Sequence, residues 1–118
     1  DSSVGVESDL VNSYAWDTAI VYIQAMGNEN YANKTSVNNS LSNTGTIGDK
    51  VCNIHDMASN CLEWSTEFST YTGSSNVYSY VTRGGTYINR NYCTTYRGYY
   101  VETINNTYYS FRVMLYVK

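Results

Sequence analysis

The chain has 118 residues, the length of one domain, with 42% apolar residues for a modest single core and no proline, which argues against a disordered linker. Only 14% of residues are charged, against roughly 25% in ordinary globular chains, so the surface is polar through Asn, Ser, Thr and Tyr. A net charge of −3 with 7 Lys plus Arg leaves no basic stripe and argues against nucleic acid as a partner, and no apolar run approaches the about 18 residues of a membrane span.

The polar opening DSSVGVESD has no signal-peptide pattern, and a trimmed or processed start is one reading of it. In NSYAWDTAIVYIQAMGN the apolar side chains Ala15, Trp16, Ala19, Ile20, Ile23 and Met26 recur at spacings of three and four, which predicts an amphipathic helix. Asn12 or Ser13 caps its start, Asp17 adds negative charge to the first turn, and Gly27 stops it. Trp16 is expected to anchor the helix in the core. Residues 28–50 are polar and without period, so they read as a long loop, or as a segment ordered by packing Tyr31, Val37, Leu41 and Ile47 inward.

After VCNIHDMASNCLEWSTEF and a second loop, STYTGSSN, the pattern becomes strand-like. VYSYVTRGG alternates Val77, Ser79 and Val81 against Tyr78, Tyr80 and Thr82, and Gly84–Gly85 end it in a turn or bulge. SFRVMLYVK alternates Phe111, Val113, Leu115 and Val117 against Arg112, Met114 and Tyr116, which predicts a long terminal strand with one buried face. One helix, then loops, then an antiparallel sheet define an α+β domain over 1–118.

Three cysteines, Cys52, Cys61 and Cys93, are too few for a disulfide-dense scaffold, and the odd count leaves at least one free or paired outside the chain. A Cys52–Cys61 bridge and three reduced thiols both fit. NKT at Asn33, NNS at Asn38 and NNT at Asn105 match the glycosylation pattern, which carries little weight in a chain so rich in these residues.

Three fragments in order carry a resemblance. NIHDMASNCLEWSTE resembles Asp-Met-x-Gly-Asn-x-x-Glu-Trp, VTRGGTY resembles Arg-Gly-Gly-Ser-Trp/Tyr, and SFRVML resembles Gly-Phe-Arg-Val. Together with YAWDTAIVYI, which is similar to a Trp-x-x-Ala helix, they resemble the formylglycine-generating-enzyme-like (sulfatase-modifying-factor) family over residues 14–115. The resemblance implies a C-type lectin-type fold. Ser59 departs from the usual Gly, Leu62 from the usual Trp and Ser110 from the usual Gly, and the chain is short for the family. Trp64 and Met57 read as apolar anchors. Glu63 and Asn60 are then partly buried, Glu63 accepting backbone N–H groups, while Arg83 and Arg112 pair with Asp56, Glu63 or carbonyls.

Catalytic members of that family bind copper through two nearby cysteines after the Gly-Gly-Ser motif. This chain offers only Cys93 there, with Asn89 at the position nearest the other cysteine, so an oxidoreductase relative is the alternative rather than the first reading. His55 is the one histidine, which excludes a multi-His metal centre, and it reads as an exposed or satisfied loop residue. A fixed carbohydrate-binding lectin-like module is the other alternative, but the Glu-Pro-Asn and Trp-Asn-Asp calcium ligands of C-type lectins are missing. No cofactor is expected. A structural calcium ion is the minority option, implied by family members that bind one in this segment, with Asp56, Glu63 and the carbonyls of Ser59 and Cys61 as its ligands.

Between 86 and 111 stand seven tyrosines (Tyr87, Tyr92, Tyr96, Tyr99, Tyr100, Tyr108, Tyr109) and four asparagines (Asn89, Asn91, Asn105, Asn106), the composition of antibody paratopes. Tyr87 and Tyr96 read as ordinary sheet tyrosines. The adjacent pairs Tyr99–Tyr100 and Tyr108–Tyr109 cannot each lie on one buried face, because successive strand side chains point to opposite sides. The stretch resembles the variable proteins of diversity-generating retroelements, a branch of the same fold. There, adenine-directed mutation of AAC or AAT codons yields Tyr, Ser, Thr, Asp, His, Ile, Val, Gly, Arg and a few others, Cys among them, but never Lys, Glu, Gln, Met or Trp when only the first two bases change. Within 86–109 only Glu102 falls outside that reach.

This resemblance implies a non-catalytic scaffold on a virion or prokaryotic cell surface that binds a protein on a target cell or virion. The expected face comprises Ile88, Asn89, Arg90, Asn91, Tyr92, Tyr99, Tyr100, Val101, Asn105 and Asn106, with Thr86 and Tyr108 at its margin. Tyr92, Tyr99 and Tyr100 are the expected anchors and Arg90 a contact for an acidic group.

Overall fold

A computed structural model describes residues 5–71, 78–101 and 104–117. Val77 of the expected strand, 72–76 of the second loop, Glu102 and Lys118 lie outside the described residues. The fold is α+β, with one α-helix among the described residues and strands paired mostly antiparallel.

Helix α1 spans Ser13–Ala25, and Asn12 caps it, its side chain accepting from the Ala15 N–H at 2.8 Å. Trp16, Ile20 and Ile23 form its buried stripe, and with Val11, Tyr31 and Met57 they make the core. Trp16 Nε1 donates to the Thr94 carbonyl at 2.8 Å, which satisfies the one polar atom of a ring that is 1% exposed. Two expectations for the helix change. Asp17 stands beyond the first turn and pairs instead with Arg83. Met26 is the C-cap and is exposed, because the chain turns away at Gly27, whose φ of +95° suits a residue without Cβ.

The long polar segment is ordered, but chiefly by hydrogen bonds. Of the four side chains expected inward, Tyr31 is buried at the head of a short 3-10 turn (Tyr31–Asn33) and Ile47 is half-buried, while Val37 and Leu41 are exposed. Instead the segment is laced to 56–60. Asn60 donates from Nδ2 to the Ser42 carbonyl at 2.9 Å and accepts from the Ser42 N–H at 3.1 Å. Ser59 Oγ accepts from the Val37 N–H, and Asp56 Oδ2 from the Gly45 N–H at 2.9 Å. Lys34 pairs with the buried Asp49.

Strand β1 (Val6–Leu10) precedes the helix; β2 (Lys50–Val51) and β3 (Ile54–His55) form a small antiparallel pair. The main sheet contains β4 (Leu62–Phe68), β5 (Tyr80–Arg83), β6 (Arg97–Tyr100) and β7 (Tyr109–Phe111) in the order β6-β5-β4-β7, with β4 and β7 parallel and the other neighbours antiparallel. At its end Gly84, with φ +90°, lies so close to Met57 that a Cβ would sit 2.6 Å from the Met57 carbonyl oxygen, and a Cβ on Gly85 would overlap the Ala58 carbonyl. The Gly-Gly pair therefore lets two backbones touch.

The terminal strand differs from expectation. It breaks at Arg112 into β7 and β8 (Val113–Val117), and β8 leaves the main sheet to pair with β1 in a two-stranded ribbon. Phe111, Val113, Leu115 and Val117 are consequently exposed rather than buried. Cys52, Cys61 and Cys93 are free thiols, so the Cys52–Cys61 bridge is not formed. Among the described residues no helix is long and apolar enough to cross a membrane.

Candidate binding face

Strand register sorts the main sheet into two unlike faces. Toward α1 point Glu63, Glu67, Arg83 and Arg97, and these charges are paired: Glu67 with Arg97 and Ser13, Arg83 with Asp17, Glu63 with Arg112. On the other side Trp64 stands opposite Thr82 and Phe111, Phe68 opposite Tyr80, Tyr80 opposite Tyr100, and Leu62 opposite Tyr109. The outward face is thus aromatic.

Trp64 is its centre. Its ring meets Tyr80 and Tyr100 edge-on, each at 6.3 Å between centroids, and stacks on Tyr109 at 5.1 Å. Tyr100 and Tyr109 meet at 5.1 Å, Tyr108 and Tyr109 at 4.7 Å, and Phe68 extends the row through Tyr80 at 6.3 Å. Such offset and edge contacts suit the ring quadrupoles. Tyr92 stacks on Tyr96 at 3.8 Å, and the Tyr96 and Tyr100 rings both lie against Gly98, so the row continues into the 86–96 turn. Burial first, then hydrogen bonds among these hydroxyls, push the Tyr96 and Tyr109 phenols well above the ordinary tyrosine range. These two phenols stay protonated at neutral pH and present neutral donors and acceptors.

Ile88, Arg90, Asn91, Asn105 and Asn106 are exposed, as a binding face requires. Asn89 is half-buried and shapes its own turn, its Oδ1 accepting from the Asn91 N–H at 3.0 Å. Tyr92, Tyr100, Val101 and Tyr108 are half-buried. The Tyr87 hydroxyl and Thr107 Oγ1 lie 3.2 Å apart, which ties the 86–92 turn to the 104–109 segment.

Several residues fall elsewhere than expected. Thr86 is fully buried, donating to the Asn60 carbonyl at 3.4 Å, so it belongs to the scaffold. Tyr99 takes the helix-side parity, bonded through its hydroxyl to Arg97 and stacked on Tyr71 at 5.3 Å, while Tyr100 takes the aromatic side. Tyr96, read as an ordinary sheet tyrosine, stacks on Tyr92 and lies with the Tyr100 ring over Gly98. Trp64, read as a core anchor, is only half-buried on the outward face. Sequence reasoning also missed Phe68, Tyr80 and Tyr109 as members of the face. The alternation in LEWSTEF was a usable signal, but its apolar side points outward because the acidic side is paired beneath the helix.

Asp56 and Glu63 do not fit a calcium site. Both Glu63 oxygens accept from Arg112, each at 2.8 Å, so its carboxylate is occupied. Among the described residues no group of three or more His, Cys, Asp and Glu side chains is placed to hold a metal ion. Arg112 thus pairs with Glu63 and the His55 carbonyl, as expected for it, and stands in place of the backbone N–H groups expected on Glu63, whereas Arg83 takes Asp17, which was not among its expected partners. Cys93 Sγ lies 3.1 Å from Thr95 Oγ1. His55, expected to be exposed or satisfied, is half-buried with Nδ1 unpartnered among the described residues. Comparison with protein-family models, curated proteins and solved structures gives no match.

Proposed function

We propose that the chain is a non-catalytic binding protein of C-type lectin-type fold, and that the outward sheet face with its flanking turns is its recognition surface. The observation that supports this most is the placement of Trp64, Tyr80, Tyr100 and Tyr109 on one face of the sheet, partly exposed among the described residues, beside turns whose Ile88, Arg90, Asn91, Asn105 and Asn106 are exposed. Half-buried aromatic rings ringed by short polar side chains are what a hot spot with an adaptable rim needs. A broad aromatic surface suits a protein partner better than a small molecule, which favours an enclosed cavity.

The Tyr/Asn composition of 86–111 favours a diversified face, as in the variable proteins of diversity-generating retroelements, displayed on a virion or prokaryotic cell surface. Sequencing the surroundings of the gene tests this. The expected result is a neighbouring reverse transcriptase and a near-copy of the 86–111 coding stretch that differs only at adenines. Absence of both would make the face a fixed one and overturn the diversified reading.

A further inference from the structure

The ribbon of β1 and β8 turns its apolar side to solvent. Its register sets Val6 opposite Val117, Ser8 opposite Leu115 and Leu10 opposite Val113. Opposed strand residues share a side, so this side carries five aliphatic side chains, one serine and no charge. Glu7, Asp9, Met114 and Tyr116 take the other side, where the Tyr116 hydroxyl donates to Glu7 at 2.9 Å and Met114 is half-buried. On the aliphatic side Val6, Val113, Leu115 and Val117 are each more than half exposed, and Leu115 reaches 69%. A two-stranded ribbon is marginal in water, and leaving its apolar side wet forgoes the burial that would hold it.

We propose that this side of the ribbon is the interface with a second copy of the chain, packed ribbon on ribbon about a two-fold axis. Area, charge and shape select that occupant. Leu10 shares an apolar groove with Phe68, which is itself exposed. Val6, Val113, Leu115, Val117 and Phe68 together expose on the order of 600 Å2, the upper end for a lone monomer and close to the roughly 800 Å2 per partner of a standard interface. An uncharged side needs an uncharged cover, and a second copy supplies one although each chain carries a net charge of −3. Ser8 is the smallest side chain on this side, and Leu115, opposite it, is the most exposed. A two-fold axis that runs along the strands between the copies lays β8 of each copy over β1 of the other. Each Leu115 then enters the dip above the second copy's Ser8, and Val6 meets Val117 and Leu10 meets Val113 in the same way. The result is a closed, isologous pair of two-stranded layers about 10 Å apart. It meets the aromatic row only at Phe68 and does not rest on that row being a recognition surface.

The test is sedimentation equilibrium of the whole chain across the micromolar range. The mass is expected to rise with concentration to that of two chains and to stop there. Ser8→Lys and Leu115→Lys each place a charge in the buried seam and are expected to weaken the pairing about tenfold or more. Val21→Lys, the same charge change at an exposed position on α1, is expected to leave it unaltered. Both ribbon positions are exposed in the single chain, so the variants are expected to fold, as thermal melts at low concentration check. Should either unfold, amide NMR of the unaltered chain at low and high concentration decides: shifts confined to 6–10, 113–117 and the adjoining Phe68 support the interface, and shifts elsewhere overturn it. A mass that stays that of one chain would overturn the proposal, as would growth beyond two chains. So would a dimer that both ribbon lysines leave intact, or one that Phe68→Lys disrupts more than Leu115→Lys, which would move the contact to the aromatic row.

Discussion

Arg112 holds Glu63 by two hydrogen bonds of 2.8 Å, Nε to Oε2 and Nη2 to Oε1, at the point where the last strand breaks in two. The pair fixes β7 beside β4 and sends β8 out to β1. It also occupies the carboxylate that the lectin-like resemblance would give to calcium.

Removing the guanidinium leaves Glu63 buried alone, so Arg112→Ala is expected to lose about 3–5 kcal/mol near neutral pH, measured by urea unfolding. Burial pushes the Glu63 carboxyl above its ordinary 4.5, and Arg112 pulls it back. Because the folded value is the higher one, the folded chain binds the extra proton, and stability falls as pH rises from about 4.5 through that value. In Arg112→Ala the pull is lost and the fall extends to higher pH. The gap between variant and parent therefore grows with pH; a gap that is constant with pH would show that Glu63 is not the group left unpaired.

The two tryptophans separate scaffold from surface. Trp16 is 1% exposed at the centre of the core, and Trp16→Ala is expected to cost about 3–5 kcal/mol. Trp64 is half-buried in the outward row, and Trp64→Ala is expected to cost about 1–2 kcal/mol, since less area leaves water on folding. Melting temperatures in the reverse order would mean that the aromatic row is the core.

Tolerance along the turns follows exposure. Substitutions at Ile88, Arg90, Asn91, Asn105 and Asn106 are each expected to change stability by about 0.5 kcal/mol or less. Thr86→Tyr, only two positions from Ile88, is expected to cost about 1–3 kcal/mol by overpacking. Thermal melts of a library varied at these six positions check the contrast.

The three thiols differ in access. Cys52 and Cys93 are half-buried, whereas Cys61 is buried and burial, followed by the Glu63 charge, pushes its thiol up. Disulfide-exchange labelling of the folded chain at pH 8 is expected to modify two thiols quickly and the third only on unfolding. Three equal rates would show that the β4–β7 junction opens freely.

Local pattern was enough to specify the helix, because a 3.6-residue period with a capping Asn and a terminal Gly is information that packing had no reason to override. It determined in the same way that Tyr99 and Tyr100, as strand neighbours, take opposite sides. Tertiary structure alone decided which side was which. Alternation in LEWSTEF and SFRVMLYVK marks two faces but carries no sign, and the usual rule that the apolar face turns inward fails here. Arg83, Arg97 and Arg112 come from distant parts of the chain to neutralise Glu67, Glu63 and Asp17 on the helix side. With those charges satisfied, Trp64, Tyr80, Tyr100 and Tyr109 are free to face outward, and β8, released beyond Arg112, pairs with a strand more than 100 residues away by register, Val113 with Leu10 and Val117 with Val6. Pairing partners at that separation leave no mark in local pattern, which is why the aromatic row and the exposed ribbon emerge only from the folded chain.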